Sequence, residues 1–230
     1  MESYLYLLVN VFTIGMPLAL SFDKKVHFRQ YFPTILKALL WVAIPFIIWD
    51  ILFTHYGIWG FNERYLIGIG LAGLPLEEIL FFFTAPFACL FIYECLNAYF
   101  GTSRKSLIYR ALSFAWALLI LPLTLIHYDD VYTLFATGLT VLTLVWIGIQ
   151  NASWTGQFYV SFAVSLIPFI LVNSLLTGSW IEEEIVWYNR LETQGANWGT
   201  IPLEDFFYCF ILLFWNTWFF ERFKPSSPKS

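Results

Sequence analysis

The chain has 230 residues, of which 59% are hydrophobic and only 12% charged, with a formal net charge of -4. A soluble domain carries about twice that charged fraction, and a water-soluble fold of this length could not hide so much apolar surface in one core. The few basic residues are dispersed, which argues against nucleic acid as a partner and for the lipid bilayer.

Crossing a bilayer takes about 20 mostly apolar residues, and seven stretches qualify: 4–22, 34–54, 75–98, 107–127, 131–150, 157–177 and 202–221. The first follows Met1-Glu2-Ser3 with no basic n-region or small-residue cleavage site, so it reads as a retained helix. Pro33, Pro75 and Pro202 stand where helices begin, a place that suits a residue without an N–H. Gly101-Thr102-Ser103 and Asn151-Ala152-Ser153 read as turns, and the tail 225–230 as disordered. The longer loops 55–74 and 178–201 are rich in Trp, Tyr and Asn and read as interfacial segments.

Basic residues set the orientation. Arg64 and Arg190 fall on the side of the N-terminus; Lys24, Lys25, Arg29, Lys37, Arg104, Lys105, Arg110, Arg222, Lys224 and Lys229 fall on the other. The positive-inside rule then predicts N-out, C-in in a multi-pass plasma-membrane protein, with Glu182-Glu183-Glu184 a solvated outer loop. Cys89, Cys95 and Cys209 lie in apolar stretches without CxxC spacing and read as packing residues. His27, His55 and His127 are scattered and give no metal-ligand spacing. Gly68-Ile69-Gly70-Leu71-Ala72-Gly73 fits GxGxxG, but between membrane spans it lacks the strand–helix context of a dinucleotide site, so neither cofactor nor metal is expected.

The chain is duplicated. Pro75-Leu76-Glu77-Glu78 matches Pro202-Leu203-Glu204-Asp205, 127 residues on, and at that offset Asn62 matches Asn189, Gly68 matches Gly195, and Glu94 matches Glu221. Upstream the offset is 123: Pro45-Phe46-Ile47 matches Pro168-Phe169-Ile170, and Asp50 meets Asn173. The fold expected is therefore all-α and membrane-embedded. Seven transmembrane helices form two parallel three-helix repeats, 1–106 and 128–230, joined by a linking helix at 107–127.

Glu77, Glu78, Glu204 and Asp205 fall in the first turn of their helices, and Asp50 reaches the same depth near the outer end of the second span. A helix N-terminus favours a carboxylate, while exclusion of water favours the neutral acid. Neighbouring carboxyls under that opposition rarely share one protonation state, which suits an acid–base pair. Phe81, Phe82, Phe207 and Tyr208, about a turn further on, could wall a pocket and stabilise a transient cation. Glu94 and Glu221 lie 17 residues past Glu77 and Glu204, about 25 Å away at the opposite face, and read as packing groups paired with Arg or Lys.

Trp49-Asp50-Ile51-Leu52-Phe53-Thr54, Gly57-Ile58-Trp59-Gly60-Phe61-Asn62 and Gly73-Leu74-Pro75-Leu76-Glu77-Glu78-Ile79-Leu80-Phe81-Phe82 resemble the lycopene cyclase domain, and Pro202-Leu203-Glu204-Asp205-Phe206-Phe207 resembles that family's second copy. The family comprises the membrane-embedded carotenoid cyclases of bacteria, archaea and fungi. The second half departs from it in having Asn173 for Asp50 and Trp187-Tyr188-Asn189 in place of the Gly-x-Trp-Gly-Phe-Asn run. The resemblance implies a lycopene β-cyclase, an intramolecular lyase or isomerase of carotenoid biosynthesis. It would close lycopene to γ- or β-carotene by non-redox carbocation chemistry and need no cofactor. It further implies a catalytic set among Asp50, Glu77, Glu78, Glu204 and Asp205, with Glu77→Gln and Glu204→Gln expected to cut ring formation. Asn62, Asn173, Asn189, Phe81, Phe82, Phe207 and Tyr208 would bind a lipophilic carotenoid. Homo-oligomers and other carotenoid enzymes are compatible partners.

The alternative is a small transporter of the SWEET type, which shares length, helix count, three-plus-one-plus-three parallel repeats and N-out orientation. Its Pro-Gln signature is missing here. A retinal-binding protein is disfavoured because the seventh span has no Lys.

Overall fold

The computed structural model describes residues 2–101 and 106–225. Seven long helices, α1 (Leu5–Leu20), α2 (Phe32–His55), α3 (Leu76–Phe100), α4 (Ser106–Ile126), α5 (Val131–Gln150), α6 (Thr155–Leu176) and α7 (Leu203–Phe223), fall on the seven expected stretches. All but α7 are long and apolar enough to cross a membrane. The shortfall in α7 comes from Glu204 and Asp205 in its first turn, Glu221 and Arg222 in its last, and aromatic rather than aliphatic residues between. It nevertheless packs on α2, α3, α5 and α6, with Ile211 through Phe214 buried. Phe12, Met16, Ile44, Leu118 and Ile167 are exposed on the outside of the bundle. So large an apolar exterior belongs in lipid; the chain is a membrane protein. Gly101, with φ 74°, caps α3, whereas Thr102, Ser103, Arg104, Lys105, Lys229 and the rest of the tail 226–230 lie outside the described residues.

The long loops depart from a purely helical expectation. They contain six short strands, β1 (Trp59–Phe61), β2 (Gly70–Leu71), β3 (Leu74–Pro75), β4 (Val186–Tyr188), β5 (Asn197–Trp198) and β6 (Ile201–Pro202). Strands of two or three residues carry no periodic signal. β2 pairs with β3, and β5 with β6, at positions 127 apart, and each hairpin delivers its Pro to the N-cap of α3 or α7. Within the GxGxxG run Ala72 and Gly73 take positive φ in the β2–β3 turn.

β1 pairs antiparallel with β4 in the register Trp59↔Tyr188, Gly60↔Trp187 and Phe61↔Val186. Because residue 60 plus 127 is 187, the pairing is centred on equivalent residues, as a local two-fold between the halves requires. The flanking bonds repeat it: Asn62 N–H donates to Ile185 O at 2.9 Å, and Asn189 N–H to Ile58 O at 2.8 Å. A Cβ at Gly60 would run into the Trp187 ring, so the crossing point has room only for glycine.

Helix packing follows the same symmetry. α1 lies on α3 as α5 lies on α7, while α2 crosses to α7 and α6 crosses to α3. The halves interlock, bringing the starts of α3 and α7 and the C-terminal end of α2 to one end of the bundle. At the opposite end Lys224 Nζ bridges Glu94 at 2.8 Å and Glu221 at 3.9 Å, and Tyr93 donates to Glu221 at 2.9 Å. Glu94 and Glu221 thus pair with a lysine, as their positions suggested. Removing the cation from a buried carboxylate costs about 3–5 kcal/mol, less where water still reaches the pair. Lys224→Met is therefore expected to lower the melting temperature in detergent, and Glu94→Gln in the same chain to restore most of it.

Candidate active site

Pro75 and Pro202 cap helices whose next residues but one are acids, so each helix begins with two carboxyls about 100° apart around its axis. That rotation sends the two acids of a pair to different places. Glu77 Oε1 accepts the Ile67 N–H at 2.7 Å, and Glu204 Oε1 accepts the Gln194 N–H at 2.9 Å and the Thr133 hydroxyl at 2.5 Å. Ile67 and Gln194 are themselves 127 apart. The first acid of each pair fastens the preceding loop to the helix that follows.

The second acids and Asp50 border one cavity. Glu78 accepts a hydrogen bond from the Tyr6 hydroxyl. Asp205 accepts three: from Tyr132 Oη at 2.6 Å, Asn173 Nδ2 at 2.6 Å and Tyr188 Oη at 2.9 Å. Asp50, 2% exposed, accepts from Trp59 Nε1 at 2.5 Å through Oδ1, and its Oδ2 has no partner. Tyr188 lies in β4, outside the helices. Loss of water around its hydroxyl, and then the Asp205 carboxyl beside it, push its ionisation well above the ordinary tyrosine range, so it remains a donor.

Aromatic rings close this end. Tyr132 and Tyr188 stack with centroids 5.8 Å apart, and Trp59 sits 5.0 Å from Tyr132 and 6.2 Å from Tyr208. A ring face turned toward a cation stabilises it while offering no strong nucleophile. Below them the walls are mostly apolar, from Phe82 and Ala85 down to Leu213, with Thr13, Ser165, Cys89 and Cys209 among them. A mostly apolar cavity with three carboxyls at one end can hand a proton to an apolar molecule and take one back.

Of the residues singled out for binding, Phe81, Phe82, Asn173 and Tyr208 line this cavity. Asn62 and Asn189 do not; their Oδ1 atoms accept the N–H of Arg64 and Leu191, each at 3.1 Å, in matching turns. Phe207 packs behind the wall with Phe53, Trp59 and Tyr132. Sequence reasoning missed Tyr6, Trp59, Tyr132 and Tyr188 as donors to the carboxyls. A signal existed for two of them: Tyr6 and Tyr132 recur 126 residues apart near the start of the first helix in each half.

The lycopene cyclase family model matches residues 3–96 and 129–223. The chain belongs to the lycopene cyclase family. No curated protein and no solved structure matches it. Carotenoid cyclisation is accordingly its general activity and a carotenoid its substrate, and the family match gives no support to a transporter. The two matched segments take in α1–α3 and α5–α7 and leave α4 between them.

Proposed function

We propose that this lycopene cyclase closes the linear ψ-ends of lycopene into β-ionone rings by acid–base chemistry inside the bilayer. The repeats 1–106 and 128–230, joined by the helix at 107–127, place both acidic helix starts at the outer face of the plasma membrane, N-terminus out and C-terminus in. Lys25 over Tyr99, Lys37 over Phe223 and Lys224 beside Glu94 gather at the opposite end, which supports that orientation.

The observation that carries the reading is the meeting of Asp50, Glu78 and Asp205 in one aromatic-capped, mostly apolar cavity. One carboxyl protonates the terminal double bond. The neighbouring alkene attacks the resulting carbocation, and a carboxylate removes a ring proton, so one proton enters and one leaves with no net redox change. Asp50, with one oxygen bare, is the donor; Asp205, its lone pairs engaged by three donors, holds charge beside the cation; Glu78 completes the relay. Glu77 and Glu204 are reassigned as positioning residues, because neither borders the cavity and one oxygen of each anchors a loop, the other having no partner, as in Asp50.

Expression of the chain alone in lycopene-accumulating cells, with pigments separated by chromatography, tests the reading. Ring-bearing carotenoid is the expected product. Lycopene recovered unchanged from membranes containing the protein would sink it.

A further inference from the structure

The duplication is symmetric in backbone and unequal in side chains. α1 and α6 flank α3, and α2 and α5 flank α7, so the fold offers two equivalent grooves. Along α3 the cavity runs from Glu78 to Ile92, about 21 Å at 1.5 Å per residue, over a floor that includes Ala85 and Ala88. At the equivalent positions on α7 stand Leu212, Trp215 and Phe219, and on α2 Trp49 replaces Val172 of α6. Trp215 Nε1 reaches across to Thr143 of α5 at 3.3 Å; the Trp49 ring lies 6.2 Å from Phe135 of α5 and 4.9 Å from Tyr208. None of Trp49, Trp215 and Phe219 borders the cavity, whereas Leu212 does, with Tyr208, Cys209 and Leu213 of the same helix, as its far wall. One groove is open, and at the equivalent places of its twin stand the aromatic side chains Trp215, Phe219 and Trp49. A second feature marks the open one as a ligand channel: the unpartnered, buried Oδ2 of Asp50 at its acidic end.

We infer that the groove on α3 between α1 and α6 is the single route by which a linear polyene end slides from lipid to the carboxyls. The two ends of one substrate are then closed in separate binding events. The inference rests on the cyclase reading above and adds the route and the count of sites. A second working site would need its own channel, and the place for it is occupied by Trp215 and Trp49.

The test grafts the plug of one half onto the other. Ala88→Trp, Ala88→Leu and Trp215→Ala are compared with the unchanged chain in lycopene-making cells, with tagged protein in the membrane measured alongside pigment. At equal protein, Ala88→Trp is expected to cut ring formation at least about tenfold and Ala88→Leu to a lesser degree, because a packed groove does not absorb the added volume. Trp215→Ala is expected to stay within about twofold. With lycopene in excess over enzyme in isolated membranes, monocyclic pigment should accumulate before bicyclic. Full activity in both Ala88 variants would overturn the channel while leaving the cyclase reading intact. Bicyclic product formed with no free monocyclic intermediate would overturn the separate binding events. Failure of the unchanged chain to form any ring would instead remove the reading beneath.

Discussion

Asp50→Asn is expected to lower ring formation by at least about a hundredfold, the scale on which a positioned proton donor acts. The amide is nearly isosteric and its oxygen can still accept from Trp59 Nε1, so the packing around a side chain only 2% exposed is retained. Only the exchangeable proton is lost. The second half shows that an amide fits such a place: Asn173, at the equivalent position, donates to Asp205. Pigment analysis at matched membrane protein separates lost chemistry from lost protein. Near-normal product from the variant would take Asp50 out of the reacting set.

Asp50 and Asn173 also show what duplication has done with the acids. In the first half an indole from β1 holds one oxygen of Asp50 and leaves the other bare. In the second half an amide and two phenols surround Asp205. Two copies of one scaffold thus present carboxyls in unlike surroundings, the condition under which neighbouring acids take different protonation states. The halves differ again at the grooves, where Ala88 of one half corresponds to Trp215 of the other. Duplication supplied the frame, and divergence of a few side chains set the parts to separate tasks.

Much of the frame was legible because lipid imposes a simple code. Each span needed a long apolar run, and Pro75 and Pro202 marked helix starts that the structure places at the same residues. The repeat of Pro-Leu-Glu-acid marks both acidic turns in the sequence itself. What could not be read was the crossing of α2 to α7 and α6 to α3, since apolar helices pack on many partners with similar energy. The strands escaped because pairs such as Gly70–Leu71 with Leu74–Pro75 are too short for a period-two pattern. Asn62 and Asn189 illustrate the reverse error. Their recurrence looked like ligand binding, but the matching constraint is a turn whose N–H needs a side-chain acceptor. The phenols of Tyr6 and Tyr132 lie about seventy residues from their carboxyls, and only the fold reveals those contacts.

The acids that look alike in sequence should separate sharply in experiment. Glu78→Gln and Asp205→Asn are each expected to reduce ring formation at least about a hundredfold, because each removes an ionisable group from the cavity wall. Glu77→Gln and Glu204→Gln are expected to stay within about tenfold, because the amide oxygen can still accept from Ile67 or Gln194 and hold the loop. Truncation to Ala at Glu77 or Glu204 should instead reduce protein in the membrane, since the part-buried Ile67 N–H or the buried Thr133 hydroxyl loses its acceptor. Asp205→Asn carries an added penalty: Asn173, Tyr132 and Tyr188 all donate to this carboxyl, and an amide nitrogen cannot accept from them. Pigment yield divided by membrane protein resolves the two classes. If Glu77→Gln and Glu204→Gln lost as much as their neighbours, the first acids would rejoin the chemistry and the division by helix face would fall.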